Sequence, residues 1–365
     1  MVHPSERLLR KVATMTIFRA FNELDGFDRF SDFNFVEYST QYTLPLAGIR
    51  RGGIHIRGGD TYADIIEDTQ IVEGWLRCYS RFPSSFHNST NLHDFSPLIS
   101  LRDSTGAEIF GLWHRGEHAT VNTGFLHVYW LGTADKSAYG GHEINVATAA
   151  WVTWDFNWKI HPTEGHLRIF ANGNLVWSVD NVDTTPASGD IGISQIRFKN
   201  PNVAGNGSTH PSYVIFLTNV ILADEPTFDM QVHTLEPTAE GTVNQWYGDV
   251  DKIIPPGYNA TDNVFSQVAE QELRLTKRAM GPVPEGHAIR GLFLSAIMRA
   301  DEGSEVKNAA GVVSVSGTSY ETAPQPVAEL HQRNNTLVFE NNPATGTPWT
   351  PASLDAAEVG YKAKT

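Results

Sequence analysis

Hydrophobic and polar positions alternate over short stretches along most of this chain. The stretches richest in β-branched and aromatic residues are FLHVYWLG, HLRIFANGNLVWSV, GISQIRFK, SYVIFLTNVILAD and GVVSVSG. Gly, Asn, Asp or Pro bound them, which is typical of β-strands joined by tight turns. Asn172-Gly173 separates two alternating runs and predicts a hairpin, because a type I′ turn needs positive φ at both central residues. We therefore expect an all-β chain built from antiparallel sandwiches.

Helical periodicity is scarce and is expected chiefly at the two ends of the chain. Near the start, four apolar residues recur at helix spacing and predict a short helical arm within residues 1–20: Leu8, Leu9, Val12 and Met15. Near the end, Ser353 stands where an N-cap belongs, and Gly360 stands where a helix would stop. A terminal strand, YKAK, is expected to follow.

The length of 365 residues favours two domains, since domains usually contain about 100–200 residues. Two prolines and several acidic residues follow a strongly apolar stretch at the predicted boundary, Ala223 to Gly241. The predicted organisation is an arm at 1–20, a first β-sandwich at 21–225 and a second, smaller β-sandwich at 226–365.

Composition excludes several classes of function. The formal net charge of −14 and the pI near 5.4 argue against a nucleic-acid surface, which needs clustered Lys and Arg. No apolar run is long enough for a membrane span, so we expect no membrane insertion. The lone cysteine, Cys78, excludes an intramolecular disulfide framework and a Cys-rich zinc site.

The sequence offers no familiar catalytic constellation. Glycosidases with a sandwich fold place paired carboxylates on one strand, and no Glu-x-Asp-x-Glu run occurs. Glu67, Asp68 and Glu73 have a spacing that mixes the two faces of a strand. Neither a His-Glu-x-x-His motif nor a Gly-x-Ser-x-Gly motif occurs. These observations predict that the chain has no catalytic residues, no required cofactor and no enzymatic activity.

A dense set of aromatic residues in the first half offers a binding site instead. Sugar C–H faces pack on aromatic rings while hydroxyl groups need fixed polar partners. In HVYWLG, Val128 and Trp130 share one face of a strand while His127 and Tyr129 share the other, so one set lies outside the core. Core packing is the main alternative for these rings. The candidate glycan-binding residues are Trp113, His114, Tyr129 and Trp130.

Five segments give the chain a family resemblance. LDGFDRF at 24–30, EGHLRIFANGNLVWSVDNVDT at 164–184 and YVIFLTNVILADE at 213–225 resemble parts of a concanavalin A-like or laminin-G-like jelly roll in bacteriophage virion proteins. Thr218-Asn219 stands where relatives usually have an Asp-Asp pair. The segments at 229–248 and 342–362 resemble the C-terminal β-sandwich module that follows this jelly roll.

The resemblance implies a virion structural protein, tail-associated or on the capsid surface as a decoration or fibre protein. Its partners would be other virion proteins and further copies of itself, and it would be assembled in the bacterial cytoplasm. The alternative is a lectin-like receptor-binding protein that recognises host-surface carbohydrate. Asp25 and Asp28 either contribute to a structural calcium site, as jelly-roll loops often do, or cap turns, and we expect the second.

Overall fold

The computed structural model of this chain is all-β, with antiparallel sheets packed as β-sandwiches. Residues 1–15, which contain most of the predicted helical arm, lie outside the described part. The last residues of that predicted arm belong instead to the first strand, Ile17–Phe21. The structure describes residues 16–21, 29–30, 54–57, 62–81, 95–115, 125–130, 142–144, 151–199, 214–252, 264–294, 296–298, 300, 303–327, 333–334 and 337–365.

Two sheets form the first β-sandwich. In sheet A the strand order is β1-β14-β5-β10-β11-β12, with β3 also paired to β14, and in sheet B it is β2-β4-β13-β6-β7-β8-β9. The strands are β1 (Ile17–Phe21), β2 (Arg29–Phe30), β3 (Ile54–Arg57), β4 (Tyr62–Ile71), β5 (Glu73–Arg81), β6 (Phe95–Arg102), β7 (Glu108–Arg115), β8 (Phe125–Trp130), β9 (His142–Ile144), β10 (Trp151–Lys159), β11 (Gly165–Ala171), β12 (Asn174–Val182), β13 (Ile193–Lys199) and β14 (Val214–Ala223).

The β11–β12 hairpin has the turn that its Asn-Gly pair predicts. Both central residues have positive φ, 50° at Asn172 and 78° at Gly173. The side chain of Asn172 also accepts a hydrogen bond from the backbone N–H of Thr153 at 3.0 Å. The turn is thereby fixed to the neighbouring strand β10.

Aromatic side chains from β10 fill the space between sheets A and B. Trp154, Phe156 and Trp158 are fully buried in the core cluster. Phe156 meets Phe110 of sheet B edge to face, with ring centroids 6.2 Å apart. The indole N–H of Trp158 donates to the carbonyl oxygen of Ile71 at 3.0 Å, which satisfies its one polar atom. Burial of each such side chain stabilises the fold by about 1.5–3 kcal/mol.

Cys78 lies in this core with no exposed surface. Burial, and secondarily the negative charge of Asp155, raise the pKa of its thiol well above the usual range. The thiol is therefore protonated and acts as a small apolar group.

A third sheet organises the second half of the chain. Sheet C has the order β15-β16-β24-β19-β20, with β21 paired to β19, and two short ribbons, β17–β23 and β18–β22, accompany it. The strands are β15 (Pro237–Asn244), β16 (Glu272–Lys277), β17 (Leu292–Leu294), β18 (Ile297–Met298), β19 (Asn308–Val315), β20 (Thr318–Glu321), β21 (Gln325–Pro326), β22 (Arg333–Asn334), β23 (Leu337–Phe339) and β24 (Glu358–Lys364); a 3-10 turn spans Val250–Lys252 and the helix α1 spans Pro351–Asp355.

The second core packs the ribbon β17–β23 and the helix α1 against sheet C. Leu292, Phe339, Leu354 and Val313 belong to one apolar cluster. Trp349 is buried among them, and its indole N–H donates to the carbonyl oxygen of Phe339 at 3.0 Å. The tryptophan of the closing segment therefore has a structural role.

The last helix begins and ends differently from the sequence-based expectation. Its N-cap is Thr350, whose hydroxyl accepts from the N–H of Ser353 at 3.1 Å, and Ser353 occupies the N3 position of a capping box. Pro351 follows directly and is favoured at the first helical position. Gly360 does not stop the helix, because it lies inside β24 opposite Arg274 and Val312. A Cβ at Gly360 would lie only 1.9 Å from the carbonyl oxygen of Leu273, so this position accepts only the Cα hydrogen of glycine.

The connection from sheet A to sheet C, residues 224–236, packs on the outer face of sheet A, and we call it the strap. Beneath the strap, Asp155 of β10 is fully buried. Nη1 of Arg77 donates to the two carboxylate oxygens at 2.9 and 3.1 Å and to the carbonyl oxygen of Thr227 at 3.1 Å. The hydroxyl of Thr227 donates to the same carboxylate at 2.8 Å. Burial raises the pKa of Asp155, although Arg77 and Thr227 act in the opposite direction.

Apolar contacts hold the rest of the strap. The ring of Phe228 packs edge to face against Trp75 and Phe170, at centroid distances of 5.1 and 5.0 Å. Met230 and Val232 pack with Phe293 of β17 against a small cluster on β1 and β14, formed by Ile17, Ala20 and Ile221. The strap thus covers part of sheet A and brings the second unit against it.

Replacing Arg77 with alanine should lower the free energy of unfolding by about 3–5 kcal/mol, because Asp155 would stay buried without its cation. Urea denaturation followed by tryptophan fluorescence measures the loss. Arg168→Ala is the matched control, because its ion pair with Asp180 is more than a third exposed and should contribute at most about 1 kcal/mol. Equal losses in the two variants would contradict this role for Arg77.

Gly360→Ala should also destabilise the chain, by about 1–3 kcal/mol or more, since the added methyl group meets backbone that cannot rotate away. The control is Gly291→Ala, where the nearest atoms lie 3.7 Å from the added carbon and the change should stay within about 0.5 kcal/mol. Thermal unfolding of both variants tests the contrast, which would be refuted by a Gly360 variant as stable as the control.

Candidate functional site

Polar side chains line the outer face of sheet B, opposite the core. Along β4 and β13 they alternate with buried apolar residues such as Ala63, Ile65, Ile196 and Phe198. The strand register places Asp64 opposite Arg197, Arg197 opposite Ser100, and Gln195 opposite Arg102. We call this set the polar face: Tyr62, Asp64, Ser100, Arg102, Glu108, Gln195 and Arg197.

Asp64 is the centre of the polar face. Its carboxylate accepts from Nε and Nη2 of Arg197, both at 2.7 Å, and from the amide of Gln195 at 2.6 Å. The guanidinium of Arg197 also lies 4.0 Å from the centre of the Tyr62 ring, a cation–π contact. Hydrogen bonding to Asp64 raises the pKa of Arg197 above its usual range. Asp64 itself has no exposed surface, so this arrangement is fixed before any ligand arrives.

Arg102 is held in a similar way on the neighbouring strand. Its Nε donates to the hydroxyl of Ser100 at 3.0 Å, and its Nη2 donates to Glu108 at 2.6 Å. Among the described residues, Nη1 of neither Arg102 nor Arg197 has a hydrogen-bond acceptor. Each guanidinium therefore keeps two oriented N–H donors for another molecule.

Gly111 continues the row toward β8. It lies opposite Ser100 on one side and Tyr129 on the other. A Cβ at Gly111 would lie 2.1 Å from the carbonyl oxygen of Ile99. Only glycine fits between these strands.

The four candidate glycan-binding residues do not all fall on this face. Trp113 is half-buried and lies opposite His127 in the register, and Tyr129 lies opposite Gly111. Trp130 packs against the core cluster. His114 lies opposite the buried Leu126. The register therefore separates Trp113 and Tyr129, at positions in line with the polar face, from His114 and Trp130.

The calcium candidates Asp25 and Asp28 lie outside the described residues. Within the described ranges, no group of three or more His, Cys, Asp or Glu side chains is arranged to hold a metal ion. In the same part of the chain, no helix has the length and apolar character that a bilayer span requires.

Sequence reasoning missed Asp64, Arg102, Gln195 and Arg197. Gln195 and Arg197 alternate with apolar residues in GISQIRFK, a pattern that also describes an ordinary solvated strand face. What distinguishes them is Asp64, which precedes Arg197 by 133 residues. Only the strand pairing reveals this contact.

No family model and no curated protein matches the chain. Among solved structures, the chain is similar to an endo-β-1,4-glucuronan lyase from the fungus Trichoderma reesei, with 13% identity over 59% of this chain and 97% of that one and a TM-score of 0.41. A marine PL-14 alginate lyase from Aplysia kurodai (10% identity, 55% and 92% coverage, TM-score 0.34) and an endo-1,3-β-glucanase from Streptomyces sioyaensis (12%, 48% and 77%, 0.35) are also similar.

These comparisons correct one sequence-based prediction. The chain was expected to have no enzymatic activity, and that expectation is contradicted, because the similar structures are carbohydrate-active enzymes. The expectation rested on the missing carboxylate pair of glycosidases. The resemblance to bacteriophage virion proteins stays a prediction.

Asp64→Asn should lower the free energy of unfolding by about 3–5 kcal/mol, because an amide turns N–H groups toward the donors of Arg197 and Gln195. Asp180→Asn, in the exposed ion pair with Arg168, is the control and should change stability by at most about 1 kcal/mol. Chemical denaturation of both variants provides the measurement. A loss at Asp64 no larger than at Asp180 would mean that the carboxylate does not organise the polar face.

Proposed function

We propose that this chain is a polysaccharide-binding protein and that the polar face of sheet B is its recognition surface. The observation that carries the proposal is the fixed pair of arginines, Arg102 and Arg197, whose Nη1 atoms have no acceptor within the described part of the chain. Their other nitrogens are bound to Glu108, Ser100 and Asp64 within the protein. A ligand therefore meets donors that need no ordering, which lowers the cost of binding.

The charges of the polar face suit sugar hydroxyl groups. Arg197 is paired with Asp64, and Arg102 with Glu108, so the two pairs together carry no formal net charge. Such a surface presents donors and acceptors side by side, as a hydroxyl group requires. The Tyr62 ring beneath Arg197 and the half-buried Trp113 add aromatic surface, on which the C–H faces of sugars pack.

Shielding distinguishes the polar face from an ordinary solvated sheet surface. Ser100 has no exposed surface, and the side chains of Arg102 and Arg197 are 13% and 18% exposed. Ion pairs at freely exposed positions gain little because water screens them. Here the pairs are largely removed from water, which is typical of the polar groups that orient a ligand in a binding cleft.

Arg102→Ala should weaken polysaccharide binding about tenfold or more, because it removes charge-assisted hydrogen bonds. Affinity electrophoresis of the full chain in gels containing soluble β-1,3-glucan, alginate or other polysaccharides identifies the ligand and measures the change. Arg168→Ala, on sheet A, is the matched control and should bind as the unmodified chain does. The same mixtures are assayed for new reducing ends, which both hydrolysis and elimination release.

The proposal fails if the unmodified chain is retarded by no polysaccharide across the panel. It also fails if retardation occurs but is equal in the Arg102 and Arg168 variants. Circular dichroism of both variants verifies that the strands remain formed, so that a loss of binding reflects the polar face itself.

A further inference from the structure

The second half of the chain carries a small exposed aromatic surface that the proposed function does not use. Tyr247 and Phe265 are 51% and 45% exposed, and Val268, which follows Phe265 in the same segment, is 54% exposed. Tyr247 follows β15, and Phe265 precedes β16. We call these three residues the aromatic platform.

The backbone fixes both rings of the platform. The N–H of Tyr247 donates to the carbonyl oxygen of Phe265 at 2.8 Å, and the N–H of Phe265 donates back at 2.9 Å. This reciprocal pair puts the two side chains on the same side of the bridge. The rings stack with their centroids 5.6 Å apart and their planes inclined by 26°.

Neighbouring hydrogen bonds hold the segment in place. The indole N–H of Trp246 donates to the carbonyl oxygen of Gln271 at 3.0 Å, and the hydroxyl of Ser266 donates to the side chain of Gln271 at 2.7 Å. The rings are thus presented by a segment tied to the start of β16, and a ligand would not have to order them.

The area of the platform limits what can cover it. A half-exposed aromatic ring offers about 100 Å², so two rings and a valine offer roughly 300 Å². A stable protein partner or a second copy of the chain needs about 800 Å² on each side. A single sugar ring needs far less surface, and its C–H face matches the outward face of one ring of the stacked pair.

We propose that the aromatic platform is a second carbohydrate site, which takes a pyranose with equatorial substituents, such as a β-linked glucosyl unit. Such a sugar carries its axial C–H groups on its two faces and its hydroxyl groups at the edge. One of these faces packs on the outward face of the Tyr247 or Phe265 ring. Among the described residues the hydroxyl of Tyr247 has no hydrogen-bond partner, so it is available to the sugar edge.

The test uses the full chain carrying Arg102→Ala, so that the polar face contributes least, and titrates it with a soluble, neutral β-1,3-glucan oligosaccharide by calorimetry. Adding Tyr247→Ala or Phe265→Ala should weaken binding about threefold to tenfold. Phe265→Trp should keep or strengthen it. Leu175→Ala, at another exposed apolar position in β12, is the matched control and should change nothing.

Three results would overturn the proposal. One is equal glucan affinity with and without Tyr247 and Phe265, and another is no glucan binding by the Arg102→Ala chain. The third is self-association in sedimentation velocity that Phe265→Ala abolishes, which would assign the platform to a second copy. A lower affinity of the Arg102→Ala chain than of the unmodified chain reports on the polar face, whereas the change caused by Tyr247→Ala or Phe265→Ala within the Arg102→Ala chain reports on the platform, so the failures of the two sites are distinguishable.

Discussion

The packing of Trp154, Phe156 and Trp158 between two sheets is the constraint on which the first unit depends. These rings turn one face of β10 inward and leave Asp155, the intervening residue, on the opposite face. The same alternation governs sheet B, where apolar residues of β4 and β13 complete the core. The charged side chains around Asp64 and Asp155 lie on outer faces because the inner faces are filled by large apolar side chains. The core thus determines where binding chemistry can occur.

The outer faces of sheets A and B are used differently, although each has a fully buried aspartate at its centre. On sheet A the protein covers Asp155 with its own strap, and Thr227 completes the hydrogen bonding. On sheet B the partners of Asp64 are side chains of the sheet itself. Arg197 uses its Nε and Nη2 for Asp64, and its Nη1 donates to no described residue. A carboxylate that binds another part of the chain serves folding. A carboxylate that only orients neighbouring side chains leaves their unused hydrogen-bond donors for a ligand.

Local patterns in the sequence predicted the local structure well. The Asn172-Gly173 turn follows from backbone preferences that act within two residues, and the strands follow from a period of two. Gly360 and Ser353 were misjudged because Gly360 is required by its close approach to Leu273 and because the helix begins earlier, at Thr350 and the proline that follows it. The polar face could not be predicted, since Asp64 and Arg197 meet only through strand pairing. Alternation did indicate that His127 and Tyr129 differ in face from Val128 and Trp130.

The burial of Cys78 has a practical consequence for following the motions of this protein. A protonated thiol without solvent access does not react with alkylating or disulfide reagents. Reaction therefore requires that the core opens around the thiol. At high reagent concentration, where the reaction rate no longer depends on the reagent, that rate equals the rate of opening. The chain contains no other cysteine. Modification of its single thiol therefore measures opening of the first sandwich, and no label has to be engineered.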